Sequence, residues 1–254
     1  MIKTIEDLSL NAWPSHQIQI YDGWLLRFSY FYTHRTNSVE QIGISTIPID
    51  DKIEYCQDAY HKWGSPVIFK ISPIVDRIFD RELERRGYSV EHTTQVMALD
   101  LDTFHQEANP EHHVILENRI PPQWIEALFR MKNTTNPIHR QIVPSMYRAI
   151  PKDTISACII ENGNIIATGL GILDRNFIGL YAIHVDECHR GKGYAASICR
   201  AILKEGRRQG AHKSYLQVVA GNTPAELLYK RIGYQPLYTY WFRVLRSKED
   251  KWNY

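Results

Sequence analysis

The stretch VDECHRGKGYA, residues 185–195, decides how this chain is interpreted. It follows FIGLYAIHV (177–185), an apolar run that is typical of a buried central strand. It leads into YAASICRAILKEGRRQG (194–210), whose apolar residues recur at helical spacing. The pattern therefore predicts a strand, a short loop and a helix in direct succession.

The loop between this strand and this helix has the composition of an anion-binding site. At such a junction several backbone N–H groups lack helical partners, and the positive end of the helix lies behind them. Gly191 and Gly193 have no Cβ, so a ligand can approach the backbone closely. Arg190 and Lys192 add positive charge. We therefore expect the loop to bind a pyrophosphate.

Two common phosphate motifs are absent from the sequence. The chain contains neither G-x-x-x-x-G-K-[ST] nor G-x-G-x-x-G. The Gly169–Gly171 triplet lies inside a strand-like run, which indicates a bulge or a close-packing point. The pattern that does occur is R-x-x-G-x-A, formed by Arg190, Gly193 and Ala195.

This pattern resembles motif A of the GCN5-related N-acetyltransferase (GNAT) superfamily, whose loop grips the pyrophosphate of acetyl-CoA. The strand KSYLQVVAGN and the helix AELLYKRIGY resemble the family's next segment, and the resemblance covers roughly residues 112–246. It implies an α+β fold with two GNAT-like domains. Each would have a central mixed, mostly antiparallel sheet flanked by helices.

The resemblance also implies roles for individual residues. Tyr229 matches the general acid that protonates the leaving sulfur. The strand edge would pair with the pantetheine arm, and Asn222 would contact the cofactor. The implied cofactor-binding residues are Ile183, His184, Val185, Arg190, Gly191, Lys192, Gly193, Tyr194, Ala195 and Asn222.

Each of these roles competes with a structural one. Tyr229 could be a packed core aromatic, and Asn222 a loop residue before a helix that Thr223 caps in a capping box, TPAE. Arg190 and Lys192 could be solvated surface charges. The general base stays open, because the strand 177–185 carries no carboxylate. His184 is the nearest titratable group, and a packing role for it or a water chain to a remote residue is equally compatible.

The chain divides most naturally near the polar residues 104–113, which predicts domains at 1–108 and 109–254. The order helix–Gly–strand–helix–Gly-Tyr–strand occurs in both halves, with Ser72-Pro73 opening the second helix of the first half. The first half has no R-x-x-G-x-A loop. It is similar to the degenerate copy found in tandem acetyltransferases with one working site, and we expect it to pack against the acceptor cleft.

Composition excludes several classes of function. The 254 residues carry 30 Lys and Arg against 28 Asp and Glu, a balance too small for a general nucleic-acid binder. No apolar run approaches the roughly 18 residues of a membrane helix, and the start has no secretory pattern. We expect a cytoplasmic protein, for which a homodimer is compatible. The four cysteines form no C-x-x-C pair and the histidines have no ligand spacing, so no metal is expected.

The sequence thus predicts an enzyme, an acetyl-CoA-dependent N-acetyltransferase. It would move an acetyl group to an amine of a small molecule or peptide by direct attack in a ternary complex. The alternative is a non-catalytic acyl-CoA-binding sensor or regulatory protein, which the same loop would serve. A third option is an acyltransferase that uses a longer acyl-CoA. The acceptor is not readable from the sequence.

Overall fold

The computed structural model describes residues 1–104, 112–247 and 250. The helices in this part of the chain are α1 (Ile2–Ala12), α2 (Ile49–Lys62), α3 (Arg77–Arg85), α4 (Pro122–Met131), α5 (Pro137–Arg148), α6 (Tyr194–Arg208) and α7 (Thr223–Ile232). The strands are β1 (Gln17–Tyr21), β2 (Trp24–Phe28), β3 (Val39–Gln41), β4 (Val67–Ile71), β5 (Ser89–Asp100), β6 (Ile115–Glu117), β7 (Asp153–Glu161), β8 (Asn164–Asp174), β9 (Phe177–Val185), β10 (Lys213–Val219) and β11 (Gln235–Leu245).

The chain folds into two compact units. Unit 1 comprises the described residues of Met1, Lys3–Ala12 and Gln95–Tyr238. Unit 2 comprises those of Ile2, Trp13–Thr94 and Thr239–Tyr254. The predicted boundary between residues 108 and 109 lies outside the described residues and stays a prediction.

Unit 1 contains a mixed sheet with the order β11-β5-β10-β9-β8-β7-β6. β9 and β10 are parallel, whereas β8 is antiparallel to both β7 and β9. The β7–β8 hairpin turns at Asn162 and Gly163, whose φ values of 51° and 77° suit the tight turn that twisted strands favour. The strand-like runs 154–160 and 165–173 on either side of the turn ENGN predict this hairpin, which is confirmed, as is the mixed, mostly antiparallel α+β sheet.

Helix α6 packs closely against β8 because glycines face it. A Cβ added at Gly169 would lie 2.3 Å from Ile198 Cγ2, and one at Gly171 would lie 2.5 Å from Ile202 Cγ2. Both isoleucines are fully buried, and each contributes roughly 1.5–3 kcal/mol of hydrophobic stabilisation. The close-packing interpretation of the Gly169–Gly171 triplet is confirmed.

Helix α1 also belongs to unit 1, although no motif predicts it. Its Asn11 Nδ2 donates to Asp174 Oδ2 at 2.8 Å, and its Ser9 Oγ accepts from Gln217 Nε2 at 2.8 Å. Tyr238 donates to Glu6 Oε1 at 2.6 Å. These bonds join the start of the chain to strands more than a hundred residues away.

Unit 2 repeats the element order of unit 1. Its sheet runs β1-β2-β3-β4-β11-β5, with β3 parallel to β4 and β11 antiparallel to β4. The series α2-β4-α3-β5 matches α6-β10-α7-β11. The residues that follow the four helices have positive φ values, which lets each helix end in a left-handed turn; these residues are Gly64, Gly87, Gly210 and Gly233.

Three details differ from the sequence-based expectations. Helix α3 begins at Arg77 rather than at Ser72-Pro73, because the Asp76 carboxylate caps it by accepting from Ile78 N. The aromatic run PLYTYWFRVL (236–245), whose composition predicts two strands, forms the single strand β11. Helix α7 is capped by Asn222 and not by Thr223, which is itself the first helical residue.

Candidate active site

Strand β9 loses its partner β10 halfway along. The parallel pairs run from Lys213 with Phe177 to Leu216 with Leu180, and both strands continue beyond them. Ala182 has a φ of 48°, and the β8 register shifts between Thr168 and Leu170, so β9 carries a bulge. The two strands therefore diverge from this point.

The bulge leaves a short backbone edge open at the end of β9. The first four residues of β9 are buried, whereas Ile183, His184 and Val185 are half-buried. These residues still pair with β8, since Thr168 lies opposite His184 and Ala167 opposite Val185. An extended chain can add to such an edge as a further strand.

The loop after β9 is held by Asp186. Its backbone N–H donates to Ile166 O at 2.8 Å, and its carboxylate accepts from Cys188 N at 3.1 Å. The same carboxylate contacts His189 Nδ1 at 3.0 Å, and His189 Nε2 lies 2.9 Å from Glu161. Both sides of the short 3₁₀ turn at Glu187–His189 are thereby fastened, and the residues after it lead into α6.

Glycines shape the rest of this loop. Gly191 and Gly193 have φ values of 80° and 82°, and Gly193 is the N-cap of α6. A glycine cannot cap with a side chain, so the N–H groups of the first turn remain available as donors. This is the geometry that a helix start offers to an anion.

Two basic side chains flank these N–H groups. Arg190 and Lys192 are exposed, and Arg190 Nη1 lies 3.9 Å from Glu187 Oε1, a distant contact. His112 Nε2 lies 2.7 Å from Lys192 O, and its ring lies 4.2 Å from that of Tyr194. His112 therefore contacts both the loop backbone and the first residue of α6, which is a structural role.

Tyr229 lies on α7 in the hydrophobic core of unit 1. It is 9% exposed, and the same core includes Ile183, Val185 and Tyr194 at its margin. Burial raises the pKa of the Tyr229 hydroxyl well above its usual range, so the group is protonated at neutral pH. A neutral phenol in the core that Ile183 and Val185 also join has a proton to donate.

Two of the free cysteines, Cys188 and Cys199, lie in the loop before α6 and on α6. Burial raises the pKa of the Cys199 thiol to about 12, which leaves it protonated at neutral pH. Cys188 is exposed in the 3₁₀ turn, and it belongs neither to β9 nor to the core near Tyr229.

His184 faces away from the core that Ile183 and Val185 join. Burial lowers its pKa, with the nearby charge of Lys132 acting in the same direction, so the imidazole is neutral at neutral pH. Its Nδ1 lies 2.9 Å from Ile183 O. A neutral imidazole can accept a proton, and the sequence-based choice between a base and a packing residue stays open.

Asn222 is the N-cap residue of α7. Its side-chain oxygen accepts from Ala225 N at 3.4 Å, which caps α7. Glu226 Oε1 accepts from Gly221 N at 3.2 Å instead of completing a capping box with Thr223. The oxygen of Asn222 is thus engaged, and its amide N–H₂ is the part that a ligand could use.

Sequence reasoning missed a polar group on the face of the sheet opposite α6. The hydroxyls of Tyr181 and Tyr215 are 2.7 Å apart, and Ser9 of α1 hydrogen-bonds to Tyr215. A Cβ at Gly179 would lie 2.7 Å from Tyr215 Cζ, so the glycine makes room for this ring. Strand alternation could have paired Tyr181 with Gly179, but no local signal brings Ser9 there.

An open cleft of about 750 Å³ lies between α4, the α4–α5 connection and the β7–β8 turn. Arg130, Arg140 and Glu126 line it, together with Asn133 and Phe129. Arg140 pairs with Glu126, and Arg130 donates to Ile165 O at 2.5 Å, next to the β8 residue that receives the bond from Asp186. The cleft therefore adjoins the α6 loop.

Comparisons with known proteins identify the family and the fold. Residues 1–242 match the family model described as "Probable histone acetyltransferase Rv0428c C-terminal". The chain belongs to this family. It is a GNAT-type acyltransferase, and its fold implies the use of an acyl-CoA.

Individual relatives cover almost the whole of this GNAT chain. The Bacillus subtilis (strain 168) protein "Uncharacterized N-acetyltransferase YobR" is 26% identical over 247 residues, which make up 96% of this chain and 99% of that protein. The solved structure of a GCN5-related N-acetyltransferase from Kribbella flavida superposes with a TM-score of 0.71 at 15% identity, over 97% of this chain and 95% of that one.

A tandem GNAT protein from the clavulanic acid biosynthesis pathway has the same fold. Its TM-score is 0.60 at 13% identity, over 83% of this chain and 76% of that one. The predicted tandem arrangement of this GNAT protein is confirmed by this neighbour and by the repeated element order. Among the described residues, no helix is long and apolar enough to span a membrane.

Proposed function

We propose that this protein is an acetyl-CoA-dependent N-acetyltransferase that moves an acetyl group to an amine by direct attack in a ternary complex. The observation that carries the proposal is the join between the opened β9 edge and the uncapped start of α6. One element offers hydrogen bonds to an extended chain, and the next offers N–H groups to an anion. A pantetheine joined to a pyrophosphate has these two parts in this order.

The loop residues would hold the pyrophosphate. Backbone N–H groups from Gly191 to Ala195 would donate to its oxygens, and Arg190 and Lys192 would supply charge-assisted contacts. Asp186 would keep the loop in place through its bond to Ile166. The amide of Asn222 would contact the pantetheine arm.

The strand residues would position and polarise the thioester. Ile183, His184 and Val185 would pair with the arm through backbone groups, as an added strand does. A backbone N–H of this edge would donate to the thioester oxygen while negative charge develops on it. Tyr229 would donate its proton to the departing sulfur, since burial keeps its hydroxyl protonated until negative charge develops on that sulfur.

The amine must lose a proton before or during the attack. His184 is a neutral imidazole on the face opposite the α6 core, and a water chain from it or from a remote residue could take this proton. The cleft beside α4 and α5 is a candidate for the acceptor pocket. Residues of α4 and α5 line it together with residues of the β7–β8 hairpin.

The acceptor class can be searched from two directions. The matched family's description names a histone, so lysine-containing basic peptides form one arm of a screen. Small amines form the other arm. Acyl-CoAs of increasing chain length test the option of a longer acyl donor.

Titration calorimetry with acetyl-CoA tests the proposal. The parent protein should bind acetyl-CoA, and Arg190→Ala/Lys192→Ala should weaken binding by at least about tenfold, since it removes two charge-assisted contacts. The matched control is Lys204→Ala/Arg207→Ala, which removes the same charge from the exposed face of α6 and should bind normally. Failure of the parent protein to bind acetyl-CoA would overturn the proposal.

The alternative function is a non-catalytic acyl-CoA sensor, which the missing carboxylate on β9 favours. Both functions require binding, and only the enzyme releases CoA when an amine is added. Detection of free thiol during the acceptor screen separates them.

A further inference from the structure

Three side chains of unit 2 form a cluster of metal-ligand type. His34 lies in a 3₁₀ turn (His34–Thr36), and Glu91 and His92 lie on β5. One nitrogen or oxygen from each lies within 4.8 Å of the others, and this is the one such group among the described residues. His34 Nε2 is 3.0 Å from Glu91 Oε2, and the rings of His34 and His92 are 4.3 Å apart.

The backbone of β5 departs from regular strand geometry to make this cluster. Consecutive side chains of a strand normally point to opposite faces. His92 has a φ of 50°, a left-handed conformation that costs a non-glycine residue roughly 1–2 kcal/mol. Thr94 Oγ1 supports it by donating to His92 O at 2.8 Å. The irregularity lets Glu91 and His92 both reach His34, and strain of this kind often marks a functional site.

The burial of the three groups suits an ion that enters from solvent. His34 is buried, Glu91 is half-buried and His92 is exposed. Phe31 and Phe242 contact the His34 ring at 5.9 and 5.3 Å and form an apolar wall behind it. Two imidazoles and a carboxylate are the ligands that zinc-class metals prefer, and three protein ligands leave room for water.

We propose that His34, Glu91 and His92 bind a divalent transition metal of the zinc class. The ion would join the 3₁₀ turn to β5 within unit 2. All three ligands lie outside the acyl-CoA loop, so this proposal does not depend on the proposed acetyl transfer. It replaces the expectation of no metal, which rested on local spacing. His34 and Glu91 are 57 positions apart, and no spacing rule connects them.

Arg246 competes with the metal for Glu91. Its Nη2 lies 2.9 Å from Glu91 Oε2 and its Nε lies 3.2 Å from Oε1. The Arg246 side chain is 37% exposed, so it can move into solvent when the carboxylate turns to an ion. This contact makes a further prediction, because a variant without the guanidinium should bind metal more tightly.

Cobalt(II) is the probe, since its visible spectrum reports on imidazole ligands. The tag-free, EDTA-treated full chain should bind one Co²⁺ in a spectroscopic and calorimetric titration. His92→Asn should weaken binding by at least about tenfold, and asparagine tolerates the left-handed backbone at this position. The matched control is His212→Asn, which removes an exposed histidine paired with Asp102 in unit 1 and should bind Co²⁺ normally.

Two further measurements strengthen the test. Arg246→Gln should bind Co²⁺ several-fold more tightly than the parent protein. Zn²⁺ should raise the unfolding temperature of the parent and of His212→Asn, but not that of His92→Asn. Absence of Co²⁺ binding by the parent, or equal affinity of the parent and His92→Asn, would overturn the proposal. The cluster would then be an ion-pair network centred on Glu91.

Discussion

The loops before helices α6 and α2 occupy the same place in the repeated element order, and they differ in how their backbone donors are satisfied. Neither helix has a side-chain cap, and α6 begins at a glycine. Before α2, the Asp22 carboxylate accepts from the backbone N–H of Thr46 at 2.9 Å and of Ile47 at 2.9 Å. The loop in unit 2 therefore already contains an anion, supplied by the protein itself.

The charged residues near the starts of the two helices also differ. The first turn of α2 contains Asp50 and Asp51, whereas that of α6 contains no acidic residue. Lys52 is fully buried, donates to Asp22 Oδ2 at 3.1 Å and lies 4.2 Å from the centre of the Trp24 ring. Its charge is directed to an internal partner. The loop before α2 thus satisfies its donors within the protein, whereas the series of elements around it matches that of unit 1.

The second helices of the two repeated series, α7 and α3, differ at one matching position. Tyr229 precedes Gly233 of unit 1 by four residues, and the residue four before Gly87 of unit 2 is Leu83. Both side chains are buried. Only the first has a proton to donate, so we expect one catalytic unit in the chain.

The largest expected effect follows from this difference at α7. Tyr229→Phe should lower kcat by about a hundredfold or more and leave the Kd for acetyl-CoA unchanged, because it removes only the proton donor. Steady-state kinetics and calorimetry measure the two quantities. Tyr234→Phe is the matched control, a buried tyrosine whose ring lies 6.0 Å from that of Tyr229 and whose hydroxyl bonds to Ser214. Equal activity of the parent and Tyr229→Phe would contradict the assignment.

Gly191, in the loop before α6, and Gly23, in the β1–β2 turn that contacts the loop before α2, should respond differently to alanine. Gly23 and Gly191 both have positive φ, but a Cβ at Gly23 would lie 2.4 Å from Ile44 O, whereas one at Gly191 would meet nothing within 4 Å. Gly191→Ala should cost about 1 kcal/mol and weaken acetyl-CoA binding several-fold. Gly23→Ala should cost more stability and leave binding unchanged. Urea denaturation and calorimetry measure these effects.

Gly43→Ala is the control for the second loop. Its Cβ would make an ordinary contact of 3.6 Å with Gly23 Cα, so stability should change little. A larger loss of stability in Gly191→Ala than in Gly23→Ala would contradict this prediction.

The smallest expected effect concerns pH. Hydrogen bonds from Ile47 and Thr46 hold the pKa of Asp22 well below its usual range. A carboxyl whose folded pKa is depressed stabilises the fold above its unfolded pKa, and this contribution is lost as the pH falls. Asp22→Asn should therefore lower the unfolding temperature by a constant amount from pH 8 to pH 5. The difference from the parent should shrink below about pH 4, the usual carboxyl range.

Thermal unfolding of both proteins across this range is the measurement. Lys3→Met is a suitable control, because Lys3 forms only an exposed pair with Asp7. A difference that grows on acidification would show that Asp22 does not stabilise the loop as a carboxylate.

Local sequence accounts for much of the fold and for most of the candidate site. The strand, loop and helix around residues 177–208 follow from short-range patterns, since periodicity, glycine positions and helix ends depend on neighbouring residues. The β7–β8 hairpin and the left-handed turns at Gly64 and Gly233 are local in the same sense. The resemblance to GNAT proteins rests on these segments too.

Long-range contacts account for what the sequence alone could not predict. The capping of α7 by Asn222 and the start of α3 depended on backbone geometry that residue type does not specify. Ser9 reaches Tyr215, Asp22 closes the loop before α2, and His34 meets Glu91 only after distant segments have folded together. Residue type and spacing thus predicted the loop before α6, whereas tertiary structure decided which of the two loops keeps its backbone donors open, because a carboxylate distant in sequence binds the N–H groups of the loop before α2.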